Sequence, residues 1–383
     1  MQLIKKVQNA FQHVGSGNNV NLYTLARNAL PYYTAPAGSA FTPLTIFLSV
    51  NSVCNARCKM CDIGQQETES SFYKNLRPES ARDRLSFERL ESLVEEAATF
   101  RPRPRISVTT TEPLLYKDLF RLARLVTERG LEFHVTTNGY RLARHADDIL
   151  ESGIRELGVS IDGPPALHDD IRGIPGMFDS IREGLETLYN RQAETGRTRP
   201  KVTLLVVITN HNYHDFARLF DELPEHLYDR AIVSHMNFMD AEMAEEHNKQ
   251  FGHIGIAEAA GTAGGTDSRE VDVPTVWEQI AHLKETNPKV HFSPDYTRED
   301  LEIFYHEPHR FVWDNTCYIP WFVMEVLANG DVVPLTRCMH KKLGNVYENS
   351  LQEIWQGSEY RALRNALQKH RRFPICTRCR GIL

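Results

Sequence analysis

Short apolar runs alternate with amphipathic segments through the middle of the chain. The apolar runs are rich in β-branched residues, as expected of strands that are buried on both faces. They lie at residues 45–50, 105–109, 132–136, 156–161, 201–208 and 230–235. Between them, apolar residues recur with a helical period at 87–100, 116–129, 178–191 and 212–223. This alternation predicts an α/β fold with a parallel sheet, which is either open or curled into a barrel.

The predicted core is preceded and followed by segments of a different character. Two amphipathic stripes precede the first strand, and we expect residues 1–44 to be a helical extension packed on the core, with contact to a membrane surface as the less favoured alternative. The stripes are Leu3, Ile4, Val7, Phe11 and Val14, and then Leu22, Leu25, Ala26, Ala29 and Leu30. Residues 45–240 form the predicted core. Residues 241–313 are predicted to be an insertion with a linking helix, whose first part, 241–271, is a mobile or irregular loop able to close over a substrate.

The pattern changes again at residue 314. Residues 322–327 and 331–333 flank Asn329-Gly330 and predict a β-hairpin with a type I′ turn. A helix is predicted from 351 to 369, with Ser350 as its N-cap and Glu353 completing a capping box. Residues 314–383 are therefore expected to be a small C-terminal α+β domain built from a hairpin and a helix.

Composition excludes several classes of protein. The 383 residues include 44 basic and 50 acidic ones, a formal net charge of −6, so we expect no broad basic face and no nucleic-acid partner. No apolar stretch is long enough for a membrane span. The N-terminus lacks a secretory signal, and seven cysteines, an odd number, argue against a disulfide framework. Together these features predict a cytoplasmic protein.

Three of the seven cysteines follow the first predicted strand. Cys54, Cys58 and Cys61 lie at the carboxyl end of that strand, where α/β folds gather their chemistry. A structural zinc site takes four protein ligands, and no histidine lies near the triplet to complete one. Three thiolates suit a cubane iron–sulfur cluster with one iron left open. The alternative, three buried structural cysteines, is disfavoured by their density.

The other four cysteines lie in the C-terminal segment, at Cys317, Cys338, Cys376 and Cys379. Four thiolates with one C-x2-C pair are compatible with a structural zinc ion. They are equally compatible with an iron–sulfur cluster that is fully ligated by protein. Spacing alone leaves both possibilities open.

The pattern Cys54-x3-Cys58-x2-Cys61 is the signature of the radical S-adenosylmethionine (SAM) enzymes, and residues 45–240 resemble the core of that family. The resemblance implies a partial (β/α)6 TIM barrel, with the triplet holding a [4Fe–4S] cluster that binds SAM. Residues 314–383 resemble a SPASM/Twitch-type auxiliary domain, which implies a second [4Fe–4S] cluster on the four distal cysteines. One departure is that Leu335 stands where the family often has a cysteine, and the thiol comes three residues later at Cys338.

The resemblance also implies which residues contact SAM. Thr110-Thr111-Glu112-Pro113 stands where the family has Gly-Gly-Glu-Pro, whose acidic side chain holds the amino group of SAM. The full set of implied SAM contacts is Met60, Thr110, Thr111, Glu112, Asn138, Ser160, Arg172 and Asn210. Arg172 would pair with the SAM carboxylate through its guanidinium fork. The ordinary alternatives are an exposed ion pair for Arg172 and a turn position for Ser160.

The resemblance implies reductive cleavage of SAM to a 5′-deoxyadenosyl radical, which abstracts hydrogen from a substrate, with a flavodoxin- or ferredoxin-type electron donor. If all seven cysteines bind iron, no thiol remains to return a hydrogen atom. The count therefore favours oxidation of a small polar molecule, such as a sugar, an aminocyclitol or another alcohol. A redox-neutral epimerase with a tyrosine donor, a peptide-modifying enzyme and a non-catalytic metal-binding scaffold are the alternatives.

Strand ends and the seam between the two domains supply candidates for substrate contacts. Asp162, His235 and Asp240 are the candidate catalytic residues. Asn237, His247 and Trp321 are further candidates for contact with substrate. A buried histidine whose hydrogen bonds are satisfied within the core is the ordinary alternative for His235.

Overall fold

The computed structural model describes residues 22–35, 37–77, 80 and 83–379. The first predicted amphipathic stripe, from Leu3 to Val14, lies outside the described residues. The second stripe forms a helix, α1, whose Ala29 is fully buried. Asn28 on the same helix donates hydrogen bonds to the carbonyls of Thr42 (2.8 Å) and Trp321 (3.3 Å). This helix thus packs onto the rest of the protein.

One mixed sheet forms the centre of the fold. Its strands are β1 Thr45–Leu48, β2 Arg105–Val108, β3 Phe133–Thr137, β4 Glu156–Ser160, β5 Lys201–Ile208, β6 Arg230–His235, β7 Val290–Phe292, β8 Val323–Val326, β9 Asp331–Val333 and β10 Gly344–Asn345. The strand order is β10-β9-β8-β1-β2-β3-β4-β5-β6-β7. The six predicted strands, β1 to β6, are consecutive parallel neighbours, and the sheet does not close on itself. The prediction of a partial barrel with a parallel sheet is confirmed.

Helices surround this sheet. In the described residues they are α1 Leu22–Thr34, α2 Asp62–Gln65, α3 Ser71–Leu76, α4 Phe87–Thr99, α5 Leu119–Glu128, α6 Leu142–Glu151, α7 Pro165–Arg172, α8 Met177–Thr195, α9 Leu219–Glu222, α10 Ala241–Phe251, α11 Val273–Thr286, α12 Arg298–His306, α13 Ile319–Phe322, α14 Leu351–Trp355 and α15 Ser358–His370. The inner faces of α4, α5 and α8 are apolar and buried, which accounts for the helical periods in the sequence. No helix in the described ranges is both long and apolar enough to cross a membrane.

The C-terminal hairpin is part of the barrel sheet. Strand β8 pairs in parallel with β1, with Phe47 opposite Glu325, and β9 then pairs antiparallel with β8. The hairpin exists as predicted, but its turn is not type I′. Only Gly330 of the Asn329-Gly330 pair has a positive φ (89°), and the amide of Gly330 donates to the carbonyl of Leu327 (2.9 Å). A type I′ turn needs positive φ at both central residues.

Three further predictions need correction. The segment 241–271 is not a loop throughout, because its Ala- and Glu-rich first part forms α10, capped by Asp240, whose carboxylate accepts from the Met243 amide at 2.8 Å. The helix predicted at 212–223 is reduced to a 3₁₀ turn followed by α9. The helix predicted at 351–369 is divided in two at Gly357, where an added Cβ would lie 2.9 Å from the Glu353 carbonyl oxygen. The capping box of Ser350 and Glu353 is confirmed.

Candidate active site

A cavity of about 460 Å³ opens at the carboxyl ends of the parallel strands. The three clustered cysteines lie on its wall, so this end of the barrel is where the predicted chemistry is placed. The lining residues are Phe47, Cys54, Ala56, Cys58, Met60, Cys61, Phe72, Thr109, Thr110, Thr111, Thr136, Thr137, Asn138, Ser160, Arg172, Val207, Met236, Asn237, Glu325, Leu335, Thr336 and Arg337. Most come from the predicted core, and the last four come from the C-terminal segment.

The loop that carries the cysteine triplet is held against the end of α7. The amides of Arg57 and Lys59 donate to the carbonyls of Arg172 (3.1 Å) and Ile171 (2.8 Å). The amide of Cys61 donates to the carbonyl of Cys58 (3.1 Å), which turns the loop back on itself. These contacts hold the backbone around Cys58 and Cys61 in place without using the thiol side chains.

Polar groups approach two of the three sulfur atoms. Arg172 Nη1 lies 3.7 Å from Cys58 Sγ, and Asn138 Nδ2 lies 4.0 Å from Cys54 Sγ. Burial raises the pKa of the Cys58 thiol to about 12, although the Arg172 charge opposes the shift. Metal coordination replaces the thiol proton in such a site. The donor set of three cavity-facing thiols beside a guanidinium therefore fits a cluster with one iron free for a ligand.

Arg172 is bound to Asp162 as well as lying beside the sulfur. Its Nε and Nη2 lie 2.7 Å and 2.6 Å from Asp162 Oδ2. Asp162 is fully buried, and its other carboxylate oxygen accepts from the Val207 amide at 3.2 Å. Burial lowers the pKa of the Arg172 guanidinium, but the effects of Asp162 and Cys58 are larger together, so the pKa is raised. Asp162 thus positions Arg172, while a direct catalytic role for Asp162 stays a prediction.

We expect Asp162→Asn to destabilise the protein by roughly 3–5 kcal/mol, because it leaves the buried Arg172 charge without its counterion. Urea unfolding of the cluster-free protein measures the change. Asp170→Asn is the matched control, because Asp170 pairs with Lys59 (2.7 Å) while 60% exposed. That exposed pair should contribute no more than about 1 kcal/mol. Equal effects of the two substitutions would contradict the prediction.

Glu112 is buried at the end of β2 and does not reach the cavity wall. Its carboxylate accepts from the Leu114 amide (2.9 Å), the Thr137 hydroxyl (2.7 Å) and the Asn138 amide (2.7 Å). Burial raises the pKa of Glu112, and these hydrogen bonds oppose the shift. The side chain therefore ties the loop after β2 to the end of β3, and its contact with the SAM amino group stays a prediction.

Thr110 stands at a glycine position of the motif and has a positive φ, which glycine adopts more readily than threonine. Its φ is +94°, a region that β-branched residues rarely occupy. Such a conformation costs of order 1–3 kcal/mol, so the surrounding structure must impose it. The hydroxyl of Thr110 lies close enough to the carboxylate of Glu325 on β8 to oppose the rise of its pKa. The threonine thus links the SAM motif to the C-terminal hairpin, which a glycine could not do.

Seven of the eight predicted SAM contacts line one of two cavities, and Glu112 lines neither. Met60, Thr110, Thr111, Asn138, Ser160 and Arg172 line the cavity that holds the triplet. Asn210 instead lines a neighbouring cavity of about 260 Å³, where its amide donates to the Gly265 carbonyl (2.9 Å) and Glu270 (2.7 Å). Met236 lies on the wall of both cavities.

The other predicted substrate contacts are also dispersed. Asn237 lines the main cavity, whereas Asp240 caps α10 and lines the neighbouring one. His235 is 1% exposed, with its Nδ1 2.6 Å from the Tyr305 hydroxyl, and His247 is fully buried, with its Nε2 3.0 Å from the Gly255 carbonyl oxygen. Trp321 is fully buried and donates to the Ser39 carbonyl (3.0 Å). The side chains of His235, His247 and Trp321 are thus buried and hydrogen-bonded in the way that core residues are.

Three residues of the cavity wall were not predicted from the sequence: Glu325, Thr336 and Arg337. Glu325 is 3% exposed, and it accepts from the Thr336 amide (2.8 Å) and hydroxyl (3.1 Å). One signal was present: an acid in the middle of the apolar run 322–327. Acids are almost never fully buried unless they are paired, so the pattern indicates a specific role.

The four distal cysteines also converge, and three of them are held by short turns. The amides of Cys338, Cys376 and Cys379 donate to the carbonyls of Leu335 (3.0 Å), Phe373 (2.9 Å) and Cys376 (3.3 Å). Burial, followed by the neighbouring thiols Cys317, Cys338 and Cys379, raises the pKa of Cys376. Burial and Cys379 raise the pKa of Cys338 to about 12. The turn from Leu335 thus carries the displaced thiol back to the other three.

This second donor set fits a closed cluster. Four thiols that lie close together can all bind one cationic centre, and binding replaces the proton of each thiol. Across the described ranges, no three His, Cys, Asp or Glu side chains form a group that could hold a single metal ion.

Comparison with known proteins identifies the class. Residues 48–223 match the radical SAM superfamily, and residues 317–380 match the iron–sulfur cluster-binding SPASM domain. The chain therefore contains a radical SAM domain and, at its C-terminal end, a SPASM iron–sulfur cluster-binding domain. Its cofactors are SAM and two [4Fe–4S] clusters.

Individual relatives support the same family. The chain is 32% identical to the Fe-coproporphyrin III synthase of Methanosarcina barkeri over 48% of this chain and 41% of that protein. It is 26% identical to an AdoMet-dependent heme synthase of the same organism over 76% of this chain and 79% of that one. The chain therefore spans less than half of the first relative and most of the second.

A solved structure supports the fold. The structure of Streptococcus suis SuiB bound to its precursor peptide SuiA aligns with a TM-score of 0.58, and the alignment covers 99% of this chain and 82% of that chain. The sequence identity is 16%, so this likeness concerns the fold alone.

Proposed function

We propose that this radical SAM enzyme removes two electrons and two protons from a small polar substrate, such as a sugar, an aminocyclitol or another alcohol. The observation that carries the proposal is the placement of the cysteines. All seven lie at one of the two cysteine groups, so none is free to return a hydrogen atom to a substrate radical. When bound, SAM and the first cluster supply the hydrogen-abstracting radical, and the auxiliary cluster supplies an electron acceptor.

The size of the cavity supports a small substrate. Its volume of about 460 Å³ must hold SAM, the substrate and the cluster on the three lining cysteines. Sites for single drug-sized ligands cover roughly 300–1,000 Å³, so little room remains beside SAM. Asn237 and Ser160 on the wall offer hydrogen bonds to a polar substrate.

Glu325 is the proposed acceptor of the hydroxyl proton. Its carboxylate lies on the wall of the cavity, and burial raises its pKa, while the hydrogen bonds from Thr336 oppose the shift. A carboxylate with a raised pKa is better matched to taking a proton near neutral pH. In this proposal the chain supplies the base. Hydrogen abstraction depends on SAM and the first cluster, and uptake of the last electron depends on the auxiliary cluster.

The experiment is anaerobic turnover of the reconstituted enzyme with a panel of sugars, aminocyclitols and simple alcohols, analysed by mass spectrometry. We expect a product lighter than its substrate by two hydrogens, formed in step with 5′-deoxyadenosine. Glu325→Gln should slow product formation by roughly 10²–10⁴-fold, the usual contribution of a general base. SAM cleavage in the absence of substrate should be unchanged. A product of the same mass as the substrate would overturn the proposal and favour an epimerase.

A further inference from the structure

Arg337 lines the main cavity and has one buried hydrogen-bond donor without an acceptor in the part of the chain that the structure describes. It lies in the segment between β9 and β10, and its Nη1 is buried without an acceptor among the described residues. The guanidinium carbon lies 4.0 Å from the centre of the Phe72 ring. This contact with the aromatic face restricts the movement of the guanidinium and uses none of its N–H donors.

The nearby acids do not satisfy this donor. Glu325 and Asp62 are close enough for their charges to interact with Arg337, but neither forms an ion pair with it in the described structure. Glu325 accepts hydrogen bonds from Thr336, and Asp62 accepts from the Gly261 amide at 3.0 Å. A buried guanidinium N–H that lacks an acceptor is costly, so the geometry calls for an acceptor from outside the chain.

We propose that Arg337 binds a carboxylate of the substrate, which makes the substrate a carboxylate-bearing alcohol such as a sugar acid. This substrate class rests on the proposed function, since it assigns a group to the molecule that is oxidised. A guanidinium takes a carboxylate through two parallel hydrogen bonds, which fixes orientation as well as position. Because Arg337 directly precedes Cys338, the carboxylate end of the substrate would lie beside the auxiliary site.

The test uses matched probes that differ in the carboxylate: glucuronate with glucose, and glycerate with glycerol. Each is titrated into the SAM-loaded holoenzyme by calorimetry. We expect at least one acid to bind ~10-fold or more tightly than its neutral partner, the size of one charge-assisted pair. Arg337→Gln should remove the preference, and Arg337→Lys, which keeps the charge but not the fork, should restore part of it. Arg269→Gln, in the neighbouring cavity, is the matched control and should leave the preference intact.

SAM also carries a carboxylate, so SAM affinity is measured for each variant. Unchanged SAM affinity and iron content in Arg337→Gln, with loss of the acid preference, support the proposal. Weakened SAM binding, a preference that survives Arg337→Gln, or no preference in the wild type would overturn it. The outcome is separable from that of the proposed function, because an acid that binds through Arg337 without being oxidised would uphold the carboxylate site and count against the oxidation.

Discussion

Cys58→Ala is expected to abolish release of 5′-deoxyadenosine from SAM, with a loss of at least ~10³-fold. Cys58 is 8% exposed and lies 3.7 Å from Arg172 Nη1, whereas Cys54 is exposed. Its removal takes one of three thiolates from a site with no fourth cysteine to substitute. Chromatographic assay of 5′-deoxyadenosine under anaerobic conditions with dithionite measures the loss.

The variant should retain its fold and its second cluster. Iron content should fall by about half, since one four-iron centre of two is lost. Cys376→Ala, which removes a thiol from the other group, is the matched control and should still cleave SAM. Residual cleavage above about a tenth of the wild-type rate in Cys58→Ala would contradict the assignment of the triplet.

Cys376→Ala is expected to leave SAM cleavage intact while preventing formation of the oxidised product. Cys376 is 7% exposed, and its thiol lies close enough to Cys317, Cys338 and Cys379 for their charges to interact with it. Without it, SAM cleavage should continue, but formation of the oxidised product should fall by at least ~10²-fold because the last electron has no acceptor. The measurement is the ratio of oxidised product to 5′-deoxyadenosine.

Thr377→Val provides a local control for this second prediction. Thr377 is next to Cys376 and is 7% exposed, with its hydroxyl directed at Met243 Sδ (3.4 Å). The substitution changes the packing of the same turn without removing a thiol. The ratio of oxidised product to 5′-deoxyadenosine should therefore stay at the wild-type value. A normal ratio in Cys376→Ala would show that the auxiliary group does not accept the electron.

The repeating core could be predicted from the sequence because each of its strands is a local pattern. The six apolar runs are the six parallel strands, and the predicted helices at 87–100, 116–129 and 178–191 are also present. The short strand β7, Val290–Phe292, was missed because three residues carry too little periodicity. The pairing of β8 with β1 joins residues far apart in sequence, which no local pattern reveals.

The parts of the candidate site that lie in a recognisable sequence motif could be predicted. The thiol groups followed from spacing and from resemblance, and six of the eight predicted SAM contacts line the main cavity. The pairing of Asp162 with Arg172 could not be predicted, because it depends on how a residue shortly after β4 and the last residue of α7 are placed in the fold. Glu325 and Arg337 reach the cavity only because the hairpin extends the barrel sheet. Their roles depend on a tertiary contact rather than on a local sequence signal.

The central claim is that the chain holds two iron–sulfur clusters and uses both. Its most direct test is metal analysis of the anaerobically reconstituted protein, with an assay for 5′-deoxyadenosine on the same sample. The account predicts about eight iron atoms per chain, no zinc, and release of 5′-deoxyadenosine that depends on SAM and reductant. About four iron atoms with one zinc ion per chain would contradict it, because a zinc ion at the four distal cysteines cannot accept an electron.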